Sequence, residues 1–320
     1  MVQTLWPMAL AGAVLILSSC GPKEPAEKKL VIGFSQVGAE SAWRTAETKS
    51  MKDEAAVRGI TLKFSDGQNK QDNQIKALRA FIAQGVNLII LAPVVETGWD
   101  PVLQEAKKAK IPVILLDRSI VTSDPGLYVT HIGPDCVEEG RMAARWLVEK
   151  LNEKGNVLEL QGTPGSAPAI ARKQGFEEVV KEHPEVTIVM SQSGDFRRSN
   201  GKQVTEALLK KAQGERISLD AIYAHNDDMA IGAIQAVEDA GLKPGEDIII
   251  VSIDGVKAAF EAMAAEKLNC TVECNPLLGP TAFDVVEKIM KGEAVPKWTK
   301  MSTRWFEQPV TDELLNSRHY

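Results

Sequence analysis

The 320-residue sequence lacks long basic runs and the common catalytic motifs. No run of five or more Lys/Arg residues occurs, and the formal net charge is −6. Binding of nucleic acid by electrostatic attraction requires a basic face, so this charge balance argues against a nucleic-acid partner. The patterns G-x-S-x-G, Walker A, H-E-x-x-H and G-x-G-x-x-G are also absent. We therefore expect neither an enzyme nor a protein with a bound cofactor.

Cysteine is scarce as well, with four in the whole sequence. If residues 270–274 are extended, the Cα atoms of Cys270 and Cys274 lie about 13 Å apart, beyond the ~7 Å limit for a disulfide. No C-x-x-C or Cys/His spacing typical of zinc is present. We expect Cys136, Cys270 and Cys274 to be buried thiols and no metal to be bound, although the disulfide state of these three residues stays open.

The N-terminus is apolar and uncharged over residues 1–19, and the apolar stretch is too short to span a bilayer comfortably. It is typical of a secretory signal peptide, although the positive n-region is missing. The segment ends in Leu-Ser-Ser-Cys, which resembles the bacterial lipobox. We predict a signal peptide at 1–19, acylation of Cys20 and a polar tether at 20–28. The alternative is an ordinary signal peptide with a chance cysteine.

From residue 29 onward, segments typical of strands and helices alternate in two successive sets of about five strands each. Repeated βα units require parallel sheets that are covered by helices on both faces. The sequence therefore predicts an α/β fold with two doubly wound, Rossmann-like lobes.

Polar residues follow many of the predicted strands. They are Ser35, Gln36, Asp66, Asp117, Arg118, Gln161, Asp195, Asn226, Asp227 and Asp254. In open α/β sheets, ligands bind outside the carboxyl ends of the strands. Two lobes whose carboxyl edges face each other would bring these groups into one cleft. Acids, guanidinium groups and amides without a cationic surplus suit a neutral, polyhydroxylated ligand.

Several of these residues have a second interpretation. Trp43 could pack on the sheet or lie against a sugar ring, and the neighbouring Glu40 and Arg44 favour the cleft. The pair Asp117-Arg118 could be a surface ion pair, but such a pair contributes only about 0–1 kcal/mol. We therefore place it in the cleft.

Residues 226–228 follow a later predicted strand, and they can be interpreted either as caps of the next helix or as ligand contacts. We expect Asn226 to contact the ligand, and Asp227 and Asp228 to cap the following helix. Asp254 occupies the equivalent position after another strand, and it is also predicted to line the cleft. From the residues alone, Arg172 is interpreted as an exposed helical arginine.

Several long motifs resemble a known family. They are VIGFSQVG, DGQNKQDNQIKA, APVVETGWDPVL, ILLDRS, SQSGDF, YAHNDDMAIGAIQA, AGLKPG and SIDGV. Together they resemble the periplasmic sugar-binding proteins of the ribose-binding type, and within these the galactofuranose-binding proteins of ABC importers. The resemblance implies the periplasmic binding protein-like I fold, with two lobes joined by three hinge strands that close over one monosaccharide.

The resemblance also implies lobe boundaries, with hinge crossings near Gly133–Asp135, Cys274–Asn275 and Lys300–Thr303. The N-terminal lobe would comprise residues 29–133 and 275–301, and the C-terminal lobe residues 134–274 and 302–320. The implied sugar contacts are Glu40, Ser41, Ala42, Trp43, Arg44, Asp117, Arg118, Arg172, Asn226 and Asp254. Ala42 and Ala171 depart from the galactofuranose pattern, which has Gly and Asp there, so the identity of the sugar stays open.

The function implied by the resemblance is that of a monomeric, lipid-anchored substrate-binding protein in the bacterial periplasm or cell envelope. It would capture a monosaccharide, with galactofuranose the first candidate, and would deliver it to the membrane subunits of an ABC permease. It would contact the membrane only through its lipid. The alternative is a sugar receptor that signals to a chemoreceptor or sensor kinase.

Overall fold

The computed structural model describes residues 1–4 and 29–320. The predicted lipid attachment residue Cys20 and the tether at 20–28 lie outside the described residues. The strands are β1 (Val31–Gln36), β2 (Thr61–Asp66), β3 (Leu88–Leu91), β4 (Val113–Leu116), β5 (His131–Gly133), β6 (Gly155–Gln161), β7 (Val186–Ser193), β8 (Ala221–Ala224), β9 (Ile249–Asp254), β10 (Cys270–Glu273), β11 (Trp298–Lys300) and β12 (Trp305–Glu307).

Helices alternate with most of these strands. The α-helices are α1 (Ala42–Val57), α2 (Gln71–Ala83), α3 (Asp100–Lys108), α4 (Cys136–Lys150), α5 (Ala167–Val180), α6 (Arg198–Glu215), α7 (Asp227–Asp239), α8 (Lys257–Ala264), α9 (Gly279–Met290) and α10 (Asp312–Asn316). Within residues 1–4 and 29–320, no helix has both the length and the apolar character to cross a membrane.

The strands form two six-stranded sheets. The first has the order β11-β5-β4-β3-β1-β2 and the second the order β12-β10-β9-β8-β6-β7. Every residue of β3 and β4 is buried, as expected for central strands of a parallel sheet. The predicted fold class, two doubly wound α/β lobes, is confirmed.

The two short C-terminal strands differ from the prediction of about five parallel strands in each lobe. The strand β11 adds a sixth, parallel strand to the first sheet beside β5. The strand β12 adds a sixth strand to the second sheet, and it runs antiparallel to β10. Both strands lie at a sheet edge, where an antiparallel strand needs no crossover helix.

The chain passes three times between the two sheets. It leaves the first sheet after Gly133 and enters the helix α4, and it leaves the second sheet after Glu273 and returns to the first lobe through α9, which packs on α1. The third passage joins β11 to β12 over residues 301–304. All three connections lie side by side in the fold because β5 pairs with β11 and β10 pairs with β12.

Two glycines allow close packing of α4 on α5. A Cβ atom on Gly140 would lie 2.2 Å from the carbonyl oxygen of Arg172, and one on Gly175 would lie 1.9 Å from that of Val137. Only glycine permits backbones to approach this closely. The short separation brings the side chain of Arg172 within reach of Glu139 on α4.

The three cysteines of the described region are free thiols. Cys270 and Cys274 are buried, as predicted, whereas Cys136 at the start of α4 is only half-buried. Burial raises the pKa of all three thiols, so they stay protonated at neutral pH.

Candidate functional site

Most of the predicted site residues meet in one cavity between the two lobes. The cavity has a volume of about 20 Å³. Its lining residues are Glu40, Ser41, Trp43, Arg44, Asp117, Arg118, Pro168, Arg172, Phe196, Asn226, Asp254 and Cys274. Every residue predicted to contact the sugar is among them except Ala42. The strand-end residues Ser35, Gln36, Asp66, Gln161 and Asp195 do not line the cavity either.

Ala42 has an exposed side chain and takes part through its backbone. Its N–H group donates a hydrogen bond of 2.7 Å to a carboxylate oxygen of Asp228 in the opposite lobe. Arg198 binds the other oxygen of this carboxylate at 2.9 Å. A carboxylate is favoured at the N-terminus of a helix, and Asp228 lies between the N-termini of α1 and α7. This contact therefore links the two lobes at the rim of the cavity.

Arg44 organises the charged groups of the N-terminal lobe. The helix α1 begins after Ser41, whose hydroxyl accepts the N–H of Arg44 at 3.1 Å. The guanidinium group of Arg44 binds Asp117 at 2.7 Å, Glu47 at 2.5 Å and Glu40 at 3.2 Å. Burial lowers the pKa of Arg44, but the three carboxylates outweigh it and hold the pKa well above its usual range. Arg44 is thus a fixed cation that keeps Asp117 and Glu40 in place.

Arg118 is bound less completely than Arg44. One of its Nη atoms donates to the carbonyl oxygen of Val94 at 3.1 Å, while Glu40 and Asp117 lie at 3.5 and 3.6 Å. Burial and the nearby Arg44 lower the pKa of Arg118. Within the described part of the chain, Nε of Arg118 and Oε2 of Glu40 have no hydrogen-bond partner. Such buried, unpaired groups cost about 1–3 kcal/mol each, and the hydroxyl groups of a ligand in the cavity would pair them.

Arg172 occupies the corresponding position in the C-terminal lobe, and it is only 4% exposed. The interpretation of this residue as an exposed helical arginine is therefore wrong. Its guanidinium group binds Glu139 at 2.9 Å, the carbonyl oxygen of His225 at 2.6 Å and Asp254 at 3.5 Å. Burial raises the pKa of Asp254 and Glu139, although the attraction of Arg172 opposes it. The sequence pattern of α5 cannot reveal these partners, because they come from other elements.

The two strand-end aspartates have unusual backbone conformations. Asp117, which follows β4, has a φ of +62°, and Asp254, at the end of β9, has a φ of +130°. Positive φ values are uncommon for residues other than glycine and cost on the order of 1–3 kcal/mol each. Strain of this kind concentrates at functional sites, where the backbone holds a side chain in a required place. Here it places both carboxylates at the cavity.

Trp43 is both a core residue and a lining residue of the cavity. It is buried in the hydrophobic core and also lines the cavity between the lobes. Its indole N–H donates to the carbonyl oxygen of Cys274, and the guanidinium group of Arg44 lies 4.7 Å from the centre of its ring. The ring is thereby fixed in orientation between the two lobes.

Phe196 is a lining residue that sequence reasoning missed. The guanidinium carbon of Arg118 lies 5.5 Å from the centre of the Phe196 ring, and that of Arg172 lies 6.0 Å away. These distances fit cation–π contacts from both lobes. The sequence did contain a signal for Phe196: it is an aromatic residue directly after Asp195, which is itself one of the polar residues that follow predicted strands. Pro168 and Cys274 were also missed, and neither has a chemical signature in the sequence.

Asn226 caps the helix α7 and also lines the cavity. The prediction that Asp227 caps this helix is wrong. The side-chain oxygen of Asn226 accepts the N–H of Met229 at 3.0 Å, so Asn226 is the N-cap of α7 as well as a lining residue. Asp227 instead accepts the N–H groups of Gly255 and Val256 at 2.7 and 2.8 Å. Burial raises the pKa of Asp227 to about 6, although these hydrogen bonds oppose it. Asp227 thus supports the backbone that carries Asp254.

The formal charges of the cavity cancel. Its lining includes three carboxylates, on Glu40, Asp117 and Asp254, and three guanidinium groups, on Arg44, Arg118 and Arg172. Among the described residues, no group of three or more His, Cys, Asp or Glu side chains could hold a metal ion. The arrangement offers planar donors and acceptors in fixed positions to a ligand without net charge.

Comparison with known proteins agrees with this architecture. Residues 32–294 match the model of the periplasmic binding protein domain. The chain belongs to the periplasmic binding protein family. This periplasmic binding protein is 52% identical over 288 residues to the galactofuranose-binding protein YtfQ of Escherichia coli (strain K12), a match that covers 89% of this chain and 90% of that protein.

Two solved structures are similar in both sequence and fold. The periplasmic binding component of the arabinose ABC transporter from Shewanella sp. ANA-3, bound to α- and β-L-arabinofuranose, is 51% identical with a TM-score of 0.84, over 87% of this chain and 92% of that one. A protein from Mycobacterium smegmatis in complex with β-D-fucofuranose is 49% identical with a TM-score of 0.85, over 87% of this chain and 91% of that one.

Proposed function

We propose that this periplasmic binding protein captures a neutral sugar in the furanose form and delivers it to an ABC importer. The observation that carries the proposal is the charge-balanced cavity between the lobes. Two buried atoms of this cavity, Nε of Arg118 and Oε2 of Glu40, have no hydrogen-bond partner in the described part of the chain. Sugar hydroxyl groups both donate and accept hydrogen bonds, so they can pair with guanidinium and carboxylate groups together. A charged ligand would instead add a net charge to this buried site, whose own formal charges cancel.

The relatives narrow the choice of sugar. They bind galactofuranose, L-arabinofuranose and β-D-fucofuranose, as described above. D-galactofuranose, D-fucofuranose and L-arabinofuranose have the same configuration at C2, C3 and C4 of the five-membered ring, and they differ in the group attached to C4. We propose a furanose of this ring configuration as the ligand, with galactofuranose as the first candidate.

A thermal-shift screen tests this function. D-galactose, L-arabinose and D-fucose are expected to raise the unfolding temperature in a concentration-dependent manner, since a ligand that binds only the folded state stabilises it. D-glucose, which forms very little furanose in water, and the charged D-galacturonate serve as controls and should have little effect. Stabilisation by galacturonate alone, or by none of the three sugars, would contradict the proposed function.

The proposal includes closure of the two lobes over the sugar. Contacts between the lobes support it: the N–H of Glu96 donates to the carbonyl oxygen of Gly165 at 2.9 Å, and Ala42 binds Asp228 at 2.7 Å. The three adjacent connections between the sheets would act as the hinge. Small-angle scattering should show a smaller radius of gyration when D-galactose is added, whereas identical profiles would contradict a closing cleft.

Asp228 is expected to stabilise the closed arrangement without contacting the sugar. The Asp228→Ala variant loses the acceptor for the Ala42 N–H, and a hydrogen bond to a charged group contributes about 1.5–3 kcal/mol. Faster release of the sugar by roughly ten- to a hundredfold is expected, measured by stopped-flow fluorescence. Asp228→Asn retains an acceptor oxygen, so its release rate should lie between those of the parent protein and Asp228→Ala. An unchanged release rate in Asp228→Ala would show that this contact does not hold the lobes together.

We further propose that Cys20 carries lipid and anchors the protein to the membrane in the periplasm or cell envelope. The Leu-Ser-Ser-Cys sequence at the end of the apolar segment supports this proposal. The Cys20→Ser variant should remain unprocessed or be released in soluble form, which fractionation and mass spectrometry of the N-terminus would show. A processed Cys20→Ser protein that still sediments with membranes would refute the lipid anchor.

A further inference from the structure

A second cavity, here called the side pocket, adjoins the sugar cavity. Its volume is about 230 Å³, and it shares the lining residues Asp117, Arg118 and Pro168 with the cavity between the lobes. The side pocket therefore lies next to the place where a ring held at Asp117 and Arg118 would sit. It is also far larger than the cavity of about 20 Å³ that the two lobes enclose around the other site residues.

The wall of the side pocket is mainly apolar. Val137, Ala167 and Ala171 contribute to it from α4 and α5 of the C-terminal lobe, and Trp298 contributes from β11 of the N-terminal lobe. Trp298 is 42% exposed, so the pocket reaches the protein surface. A group that enters the pocket can therefore bury carbon atoms against these side chains and keep a terminal hydroxyl group in water.

Polar residues of the side pocket are largely paired within the protein. Nε2 of His131 lies 3.0 Å from the carbonyl oxygen of Asp117, and Lys300 binds the carboxylate of Asp135 at 2.8 Å. The ring of His131 also stacks on Trp298, with 6.1 Å between the ring centres. These groups are held in place by existing contacts, so the pocket favours a carbon chain over a strongly polar substituent.

We propose that the side pocket receives the exocyclic carbons of the furanose and sets the preference among sugars of one ring configuration. This inference rests on the proposed function, because it requires the ring to lie at Asp117 and Arg118. The C4 substituent is CH2OH in L-arabinofuranose, CH(OH)CH3 in D-fucofuranose and CH(OH)CH2OH in D-galactofuranose. The two hexofuranoses carry one more carbon, which the pocket buries, so this protein binds them more tightly than L-arabinofuranose.

Titration calorimetry of the unmodified protein with the three sugars provides the first test. Each affinity is corrected for the furanose fraction of that sugar in water, measured by NMR. One buried carbon stabilises binding by an amount equal to about fourfold in affinity, and both hexofuranoses should exceed L-arabinofuranose by at least that factor. Equal corrected affinities would overturn the role of the side pocket while leaving the proposed function intact. Binding of none of the three sugars would remove the proposed function itself.

The Ala171→Leu variant provides the second test because it fills the side pocket from α5. The larger side chain takes up space that the exocyclic carbons would use, so it is expected to weaken D-fucose and D-galactose binding by roughly tenfold and to leave L-arabinose binding nearly unchanged. The matched control is Gln174→Leu on the same helix, where the side chain is exposed and does not line the pocket. This control should bind all three sugars as the parent protein does. An equal loss for all three sugars in Ala171→Leu would contradict the inference.

Discussion

Replacement of Arg172 by alanine is expected to destabilise the protein by about 3–5 kcal/mol, the usual cost of removing one partner from a buried ion pair. Arg172 is the cation that faces two buried carboxylates, Glu139 at 2.9 Å and Asp254 at 3.5 Å. The side chains of both acids are no more than 6% exposed. Without Arg172, they would remain in a dry environment with their negative charges uncompensated.

The loss of stability in Arg172→Ala should grow with pH. Burial already raises the pKa of Glu139 and Asp254 in the folded protein, and the attraction of Arg172 now opposes this rise. Removal of Arg172 would raise both pKa values further above those of the unfolded chain. Acids with a raised folded-state pKa take up protons on folding, so the variant should be least destabilised near pH 5 and most destabilised near pH 8.

Urea unfolding at these two pH values measures the effect. The control is Arg141→Ala on α4, which removes an arginine with a 37% exposed side chain that binds Glu178 at the surface. At both pH values, this control should unfold at nearly the same urea concentration as the parent protein. A small, pH-independent effect of Arg172→Ala would contradict the ion-pair network derived for the C-terminal lobe.

Replacement of Arg118 by alanine is expected to weaken sugar binding by roughly ten- to a hundredfold and to leave the fold intact. A hydrogen bond to a charged group contributes about 1.5–3 kcal/mol, and each 1.4 kcal/mol changes the affinity tenfold. In the described chain, Nε of Arg118 has no hydrogen-bond partner, so its bond to a sugar hydroxyl replaces no internal hydrogen bond.

The stability of Arg118→Ala should be close to that of the parent protein, because Arg118 is not the only cation beside its neighbouring acids. Both acids near Arg118 retain a second cation, because Arg44 binds Asp117 at 2.7 Å and Glu40 at 3.2 Å. Burial and Arg44 also lower the pKa of Arg118, so its own charge is disfavoured in this position. The protein therefore keeps Arg118 at a cost in stability that sugar binding can offset.

Calorimetry and circular dichroism of Arg118→Ala separate these two effects. The control is Arg79→Ala in the same lobe, where the arginine is 54% exposed and binds Glu105 on the surface. It should bind sugar as the parent protein does. Unchanged affinity in Arg118→Ala, together with an unchanged spectrum, would show that the charges after β4 do not serve the sugar site.

The fold class followed from the alternation of apolar strands and amphipathic helices, because each βα unit is long enough to show its periodicity. The short strands β11 and β12 could not be predicted in this way. Each has three residues, and its place in a sheet depends on partners far away in the sequence, His131–Gly133 for β11 and Cys270–Val272 for β12.

The site was predictable where one rule sufficed. Asp117, Arg118 and Asp254 follow or end parallel strands, and the carboxyl edge of such strands brings them together. The burial of Arg172 could not be read from its helix, because it depends on Glu139 and on the close approach that Gly140 and Gly175 allow. The separate roles of Asn226 and its two neighbouring aspartates likewise depend on loops that are distant in sequence.

The most direct test of the account is the ring form of the bound sugar. Carbon-13 NMR of galactose labelled at C1 resolves the pyranose and furanose anomers in one spectrum. With the protein present, the furanose signals are predicted to shift or broaden while the pyranose signals stay sharp, and Arg118→Ala should restore the spectrum of the free sugar. Selective perturbation of the pyranose signals, or no perturbation at any protein concentration, would contradict a furanose site between the lobes.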